Sequence, residues 1–350
     1  MNKRVRVAVI GAGAIGVAHV RGFQTHPQVE VVAVAETHPE RRAEACVTFG
    51  IAEGVEDYRT LLDRKDIDVV SVALPNHLHV PVGLEALEAG KHVLMEKPIA
   101  TNANDAARLV EEAERRGLLF MVGQNQRFAK AAQSAKQYVA SGAAGEIYHL
   151  EAFWLRRSGI PRMGSWFTKR EFAGGGCCYD IGVHMLDLAL HLVGDFDAES
   201  VSGQTFAKFG PRGLGEGGWG KSEADAARSF DVEDFATALI RMKSGRTVIL
   251  QTAWACYMPE GSLNNVRLYG TEGGVSVFPF EVYRRGAEHE FVTEKPEPAA
   301  CLVNEVREAH FVDCVLGNAE PFVPARQSLA VQRILDAIYE SGRLNKEVRI

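Results

Sequence analysis

Hydrophobic and polar positions follow two periods through the first third of the chain. Val5–Ile10 (VRVAVI) is a short β-branched apolar run that predicts a strand, 14–25 carries a helical stripe, and Val29–Ala35 (VEVVAVA) predicts a second strand. The alternation continues with helices at 58–63, 80–89 and 104–116 and strands at 68–74, 92–96 and 118–122. Strands that read as unbroken apolar runs are buried on both faces, so this part predicts a parallel sheet between layers of helix.

After Gly123 the period changes. A helix at 130–140 precedes long strands at 146–157, 198–207, 234–242, 247–255 and 264–269, with turn-like segments such as Lys243-Ser244-Gly245 and Thr271-Glu272-Gly273-Gly274 among them. That spacing predicts antiparallel meanders. Two helices are expected at 301–316 and 327–341, the second packing back on the first domain. The stretch 210–220 (GPRGLGEGGWG) reads as a mobile loop. The chain is therefore α/β, with one domain over 1–123 and a second, sheet-rich α/β domain over 124–350.

Composition agrees with two domains, since 350 residues at roughly 150 per domain gives that number. With 46% hydrophobic and 24% charged residues the chain is not disordered as a whole. Thirty-nine Lys and Arg against 45 Asp and Glu leave a net charge of −6, which disfavours nucleic acid or an anionic membrane as partner. No apolar run approaches the roughly 18 residues of a membrane span. The run after Arg4 and Arg6 is too short for a secretory signal, and the six cysteines are scattered without a C-x-x-C pair. A soluble, cytoplasmic protein with reduced thiols is expected.

Gly11, Gly13 and Gly16 form G-x-G-x-x-G directly after the first strand and at the opening of the first helix, the context of a dinucleotide site. Gly11 permits the turn, Gly13 lets a pyrophosphate approach the main chain, Gly16 lets helix meet strand, and the helix end offers its positive dipole. Glu36, twenty residues on at the end of the second strand, is placed to bind both ribose hydroxyls of an adenosine, which favours NAD over NADP. Arg41 and Arg42 leave NADP as the lesser alternative.

Lys97 in Glu96-Lys97-Pro98 and the loop Pro75-Asn76-His77-Leu78-His79 stand at carboxyl ends of parallel strands, the edge where open α/β sheets bind ligands. A lysine beside a nicotinamide can exchange protons with a hydroxyl. Gly174-Gly175-Gly176 leads into Cys177-Cys178-Tyr179-Asp180-Ile181-Gly182-Val183-His184, where Asp180 and His184 lie four apart on one predicted helical face. Carboxylate, imidazole and ammonium together supply a proton acceptor, an orienting partner and a stabiliser of alkoxide. Asp180 as a mere helix N-cap and His184 as a core histidine are the competing readings. The stripe Asp180, His184, Asp187, His191 is too long to converge on one ion, so no metal is expected.

GAGAIG at 11–16, PNHLH at 75–79, EKPIA at 96–100 and GGGCCYDIGVHMLD at 174–187 resemble, in order and spacing, the motifs of the Gfo/Idh/MocA family of NAD(P)-dependent oxidoreductases, which includes glucose-fructose oxidoreductase and inositol dehydrogenases. The resemblance covers essentially the whole chain. It implies an N-terminal Rossmann dinucleotide-binding domain and a C-terminal domain whose large, mostly antiparallel open sheet joins homodimers or homotetramers. It also implies a catalytic trio of Lys97, Asp180 and His184. Cofactor contacts carried over from the family are Ala14, Ile15, Ala73, Leu74, Pro75, Asn76, His79, Glu96, Lys97 and Asn125 beside the glycines and Glu36. Arg127 would lie near the substrate, although Gln126 departs from the family's basic pair. Trp154 and Arg156, alternating on one strand face, and Trp166 suit a sugar, with core packing as the other reading for the tryptophans.

The resulting expectation is an NAD-dependent dehydrogenase of a secondary hydroxyl in a sugar, inositol or glycoside, or the reverse reaction. Here His184 takes the proton, Lys97 polarises the oxygen and Asp180 orients both. The alternatives are glycoside cleavage through transient oxidation and elimination, a non-catalytic ligand-binding or regulatory protein on this fold, and a reductase of imines, dihydrodiols or tetrapyrroles.

Overall fold

The computed structural model describes residues 4–218 and 223–350, which divide into two compact units. The first comprises 4–123 and 303–329, the second 124–218, 223–302 and 330–350.

The first unit holds a six-stranded sheet of β1 (Val5–Ile10), β2 (Val29–Ala35), β3 (Glu53–Val55), β4 (Val69–Val72), β5 (His92–Met95) and β6 (Phe120–Val122) in the order β3-β2-β1-β4-β5-β6. Every neighbouring pair is parallel. Helices α1 (Ala14–Gln24), α2 (Pro39–Phe49), α3 (Arg59–Leu62), α4 (His79–Glu88) and α5 (Ala103–Arg116) connect the strands. Val7, Ala8, Val9, Val70, Val72, Val93 and Leu94 are fully buried, as central strands covered on both faces must be. Helix α5 begins on an Asn102 side chain that accepts from the Asp105 N–H, and it ends on Gly117 in the left-handed conformation. The strand order reverses between β1 and β4, the switch point at which open α/β sheets carry their ligand crevice, and the loops leaving these strands meet closely where Gly11 approaches Ala73.

The second unit is built on a nine-stranded sheet. Its strands are β7 (Ile147–Arg156), β8 (Ala198–Phe206), β9 (Phe235–Met242), β10 (Thr247–Ala253), β11 (Ser262–Gly270), β12 (Gly273–Ser276), β13 (Glu281–Arg285), β14 (Phe291–Glu294) and β15 (Val348–Arg349). The order is β14-β13-β12-β11-β7-β10-β9-β8-β15, antiparallel except for the parallel β7–β10 pair. Its helices are α6 (Lys130–Ala140), the single turn α7 (Arg170–Ala173), α8 (Val183–Val193) and most of α10 (Ala325–Leu344), while α9 (Arg307–Val315) belongs to the first unit. Helix α8 is buried along its length to Leu192, because its apolar residues run all round it. Strand β9 turns Ala236, Ala238, Ile240 and Met242 to the core and leaves the alternate residues half-buried.

Four expectations change here. The segment 303–329 returns to the first unit, so the second domain is not one run over 124–350. It is α9 that lies wholly in the first unit, with Phe311 and Val312 fully buried, whereas α10 leaves that unit after Leu329. Gly273 and Gly274 are not only a turn but also open β12, where a Cβ at Gly273 would lie 2.9 Å from the Tyr283 carbonyl oxygen. The start of the expected mobile loop is anchored, with the N–H groups of Lys208, Phe209 and Gly210 donating to the Asp234 carboxylate. Residues 219–220 at its far end lie outside the described residues.

Candidate active site

The glycine loop of the first unit is shaped by contact on two sides and open on the third. Gly11 has φ +96° and a Cβ there would sit 2.3 Å from the Ala73 carbonyl oxygen, while a Cβ at Gly16 would sit 1.8 Å from that of Gly11. A Cβ at Gly13 would meet nothing within 4 Å. Gly13 is the N-cap of α1 and brings no side chain to its first N–H groups, and Ala14 and Ile15 are exposed. An anion is what such an end accepts. Glu36 ends β2 with Oε2 accepting from the Ala12 N–H at 2.9 Å and Oε1 from the His38 N–H at 3.0 Å. The Arg42 guanidinium donates to the Glu36 carbonyl at 2.5 Å. Open space at Gly13 with a carboxylate beside it fits a dinucleotide with a free ribose 2′-hydroxyl.

Ala73, Leu74 and Pro75 are half-buried at the end of β4, and Asn76 is buried. Lys97 is half-buried just past β5. Two expected cofactor contacts point elsewhere. His79 is fully buried between the carbonyl oxygens of Pro98 and Leu74, at 2.7 and 2.9 Å, and burial pushes its pKa down. It joins the two loops rather than lining the crevice. Glu96 is also turned inward, accepting from Arg307 at 2.8 Å and lying 2.8 Å from His19.

In the second unit Asp180 lies inside a single π-helical turn, Cys178–Gly182, that runs into α8. It is therefore not the N-cap of that helix, and π turns inside helices often accompany functional sites. The turn is pinned from behind. The Glu233 carboxylate accepts from the N–H groups of Gly176 and Cys178, each at 2.9 Å, and from the Tyr339 hydroxyl at 2.7 Å. A Cβ at Gly176 would sit 1.9 Å from the Glu233 carbonyl oxygen, so only glycine passes there. Trp254, fully buried, donates its indole N–H to Asp180 Oδ2 at 2.9 Å.

Trp154, Arg156 and His184 of the expected sugar-binding groups stand around this turn. The Trp154 and His184 rings are 6.0 Å apart, and the Arg156 guanidinium lies 4.8 Å from the Trp154 ring centroid. Burial pushes the Arg156 pKa down and the facing Asp180 carboxylate opposes that shift. The buried indole N–H of Trp154 has no acceptor among the described residues. Trp166 stacks on Phe167 at 3.7 Å, and Asn125 is exposed on the turn after β6.

Arg127 does not join them. Its side chain is fully buried, with Nε and Nη2 donating to the two oxygens of Asp187 at 2.7 and 2.6 Å and Nη1 3.2 Å from His191 Nδ1. Arg127 is not free to contact a substrate, because a bidentate pair at this depth is too costly to break for a ligand. The same pairing consumes Asp187 and His191 of the acid–histidine stripe.

Residues 5–124 match the model of an oxidoreductase family with an NAD-binding Rossmann fold, and 132–276 match the GFO/IDH/MocA C-terminal domain. D-glucoside 3-dehydrogenase of Escherichia coli (strain K12) is 32% identical over 349 residues, covering 99% of this chain and 97% of the relative. The chain belongs to the Gfo/Idh/MocA oxidoreductase family. Levoglucosan dehydrogenase of Pseudarthrobacter phenanthrenivorans is 32% identical over 80% of the chain and 74% of its own length. A solved structure of a levoglucosan dehydrogenase with NADH and levoglucosan superposes with a TM-score of 0.85 at 26% identity, covering 99% of this chain and 100% of that one.

As a member of this family the chain is an NAD-dependent oxidoreductase. Among the described residues no helix is long and apolar enough to cross a membrane. Trp254, Glu233, His19 and Arg307 went unnoticed in the sequence. Asp180 and Trp254 are 74 positions apart and Cys178 and Glu233 are 55 apart, so no local spacing signals either pair.

Proposed function

We propose that this oxidoreductase takes a hydride from the carbon bearing a secondary hydroxyl of a sugar, inositol or glycoside, giving the ketone, or runs the reverse reaction. The observation that carries the reading is the cluster of Trp154, Arg156, Asp180 and His184 in one unit. A sugar offers a C–H face to an aromatic ring and a rim of hydroxyls to charged hydrogen-bonding groups, and that cluster supplies both. The relatives named for glucosides and levoglucosan support the same substrate class.

His184 accepts the hydroxyl proton as the C–H bond breaks, Asp180 orients the hydroxyl and the imidazole, and Lys97 donates to the oxygen as negative charge grows on it. Bound NAD supplies the hydride acceptor. Self-association through the open sheet face, where Phe206 and Leu263 are exposed, and residence in the cytoplasm belong to the same proposal.

The test is a panel of sugars, inositols and glycosides with NAD or NADP, followed by absorbance of the reduced nicotinamide. Lys97→Met and His184→Ala are expected to lower kcat by about a thousandfold or more while leaving NADH binding within about threefold. Full NAD reduction by either variant overturns the assignment. Release of an aglycone without net NADH would replace it by glycoside cleavage.

A further inference from the structure

Beneath the Glu96-Lys97 peptide the first unit buries a set of charges that the reaction does not use. Glu96 Oε1 accepts from Arg307 Nη1 at 2.8 Å and lies 2.8 Å from His19 Nε2, and Glu96 Oε2 accepts from the Lys97 main-chain N–H at 3.2 Å. Arg307 also donates to the Gly123 carbonyl at 2.9 Å and to Glu308 Oε1 at 2.5 Å, while His19 Nδ1 lies 2.7 Å from Ser71 Oγ. His19 and Ser71 are fully buried, and Glu96, Arg307 and Glu308 are at most 9% exposed. Two glycines outside the cofactor loop make room for the set. A Cβ at Gly22 would lie 2.4 Å from Glu308 Oε2, and one at Gly123 would lie 2.5 Å from Arg307 Nη1 and 2.8 Å from Glu96 Oε1.

Stability does not account for this arrangement. Taking ions out of water costs several kcal/mol each, and apolar replacements of similar volume are often as stable or better. What the charges do, and apolar side chains would not, is hold an ionised carboxylate in one rotamer with its second oxygen on the Lys97 N–H. Burial by itself raises the Glu96 pKa, and Arg307 with His19 brings it well below the usual carboxylate range. The set also draws together α1, whose N-terminus is the cofactor cradle, β4 through Ser71, and α9 of the returning segment. We propose that His19, Arg307 and Glu308 are positioning residues that act through Glu96 to fix the main chain at Lys97. The proposal rests on the catalytic reading of Lys97 given above.

The experiment uses the full chain with NAD and methyl glucoside. Arg307→Gln and Glu308→Gln are compared with wild type and combined with Lys97→Met, whose residual rate is read at high enzyme concentration. Expected are a kcat lower by about tenfold or more, a glucoside KM and NADH affinity within about threefold, and no further loss in the Lys97→Met background. Amide hydrogen exchange in a peptide spanning Lys97 should quicken in both single variants, a readout that needs no turnover. Equal fractional losses with and without Lys97, or unchanged exchange, overturn the proposal. Failure of both variants to fold also overturns it, since the charges would then serve the fold. Full activity of Lys97→Met would instead sink the catalytic reading, and exchange would still report whether the charges hold that peptide.

Discussion

The indole N–H of Trp254 and the Oδ2 atom of Asp180 are 2.9 Å apart, and the tryptophan has no exposed surface. A donor in that position fixes one oxygen of the carboxylate and leaves its orientation set before any sugar arrives. Removing a hydrogen bond to a charged acceptor costs about 1.5–3 kcal/mol. Trp254→Phe is therefore expected to lower kcat/KM for a glucoside by about ten- to a hundredfold with NADH affinity unchanged. A Phe variant that folds and retains wild-type kcat/KM would show that Asp180 needs no such anchor.

Gly13 and Gly16 are both fingerprint glycines, yet the structure separates what each does. A Cβ at Gly16 would strike the Gly11 carbonyl oxygen at 1.8 Å, whereas one at Gly13 meets only open space. Gly16→Ala is expected to lower the melting temperature by several degrees, as a clash of about 2 kcal/mol or more would. Gly13→Ala should melt like wild type and weaken NADH binding about tenfold or more, because the added methyl occupies the pyrophosphate's approach. Tight NADH binding by Gly13→Ala, measured by fluorescence titration, would move the cofactor away from this loop.

These contrasts mark what a sequence can disclose. The βαβ rhythm, the glycine loop and the strand-end lysine were legible because each is written within a short stretch whose period or spacing fixes the backbone. The inward turn of Glu96 and Arg127 was not. Where a charged side chain points depends on its partner, and Arg307 lies 211 positions from Glu96 while Asp187 lies 60 from Arg127. Asp180 and His184 were found as a pair, but the π turn that carries Asp180 into α8 is pinned from behind at Gly176 and Cys178, which a helical spacing of four does not reveal.

Glu36 holds its carboxylate between the N–H groups of Ala12 and His38, at the place where a 2′-phosphate would meet negative charge. Arg41 is already near, with Nη2 3.9 Å from Glu36 Oε1. Glu36→Ser removes the repulsion and leaves both arginines for the phosphate. The ratio of kcat/KM for NADP over NAD should rise by about tenfold or more. An unchanged ratio would mean that nucleotide choice is made elsewhere.

His191 gives the second unit a pH dependence whose sign can be worked out. Burial, with Arg127 and Lys136 adding to it, lowers its pKa to about 2 from an ordinary 6.5. Asp187 faces the same arginine and carries the balancing charge. Below pH 6.5 the unfolded chain takes up a proton that folded His191 refuses, so stability from this group is complete above that pH and is lost as pH falls. Each pH unit of that decline is worth about 1.4 kcal/mol. Between pH 7 and pH 5, His191→Gln should therefore lose about 2 kcal/mol less unfolding free energy than wild type in urea titrations. Equal losses in the two proteins would mean that the imidazole is protonated inside the fold, and that the Arg127–Asp187 pair tolerates a third charge.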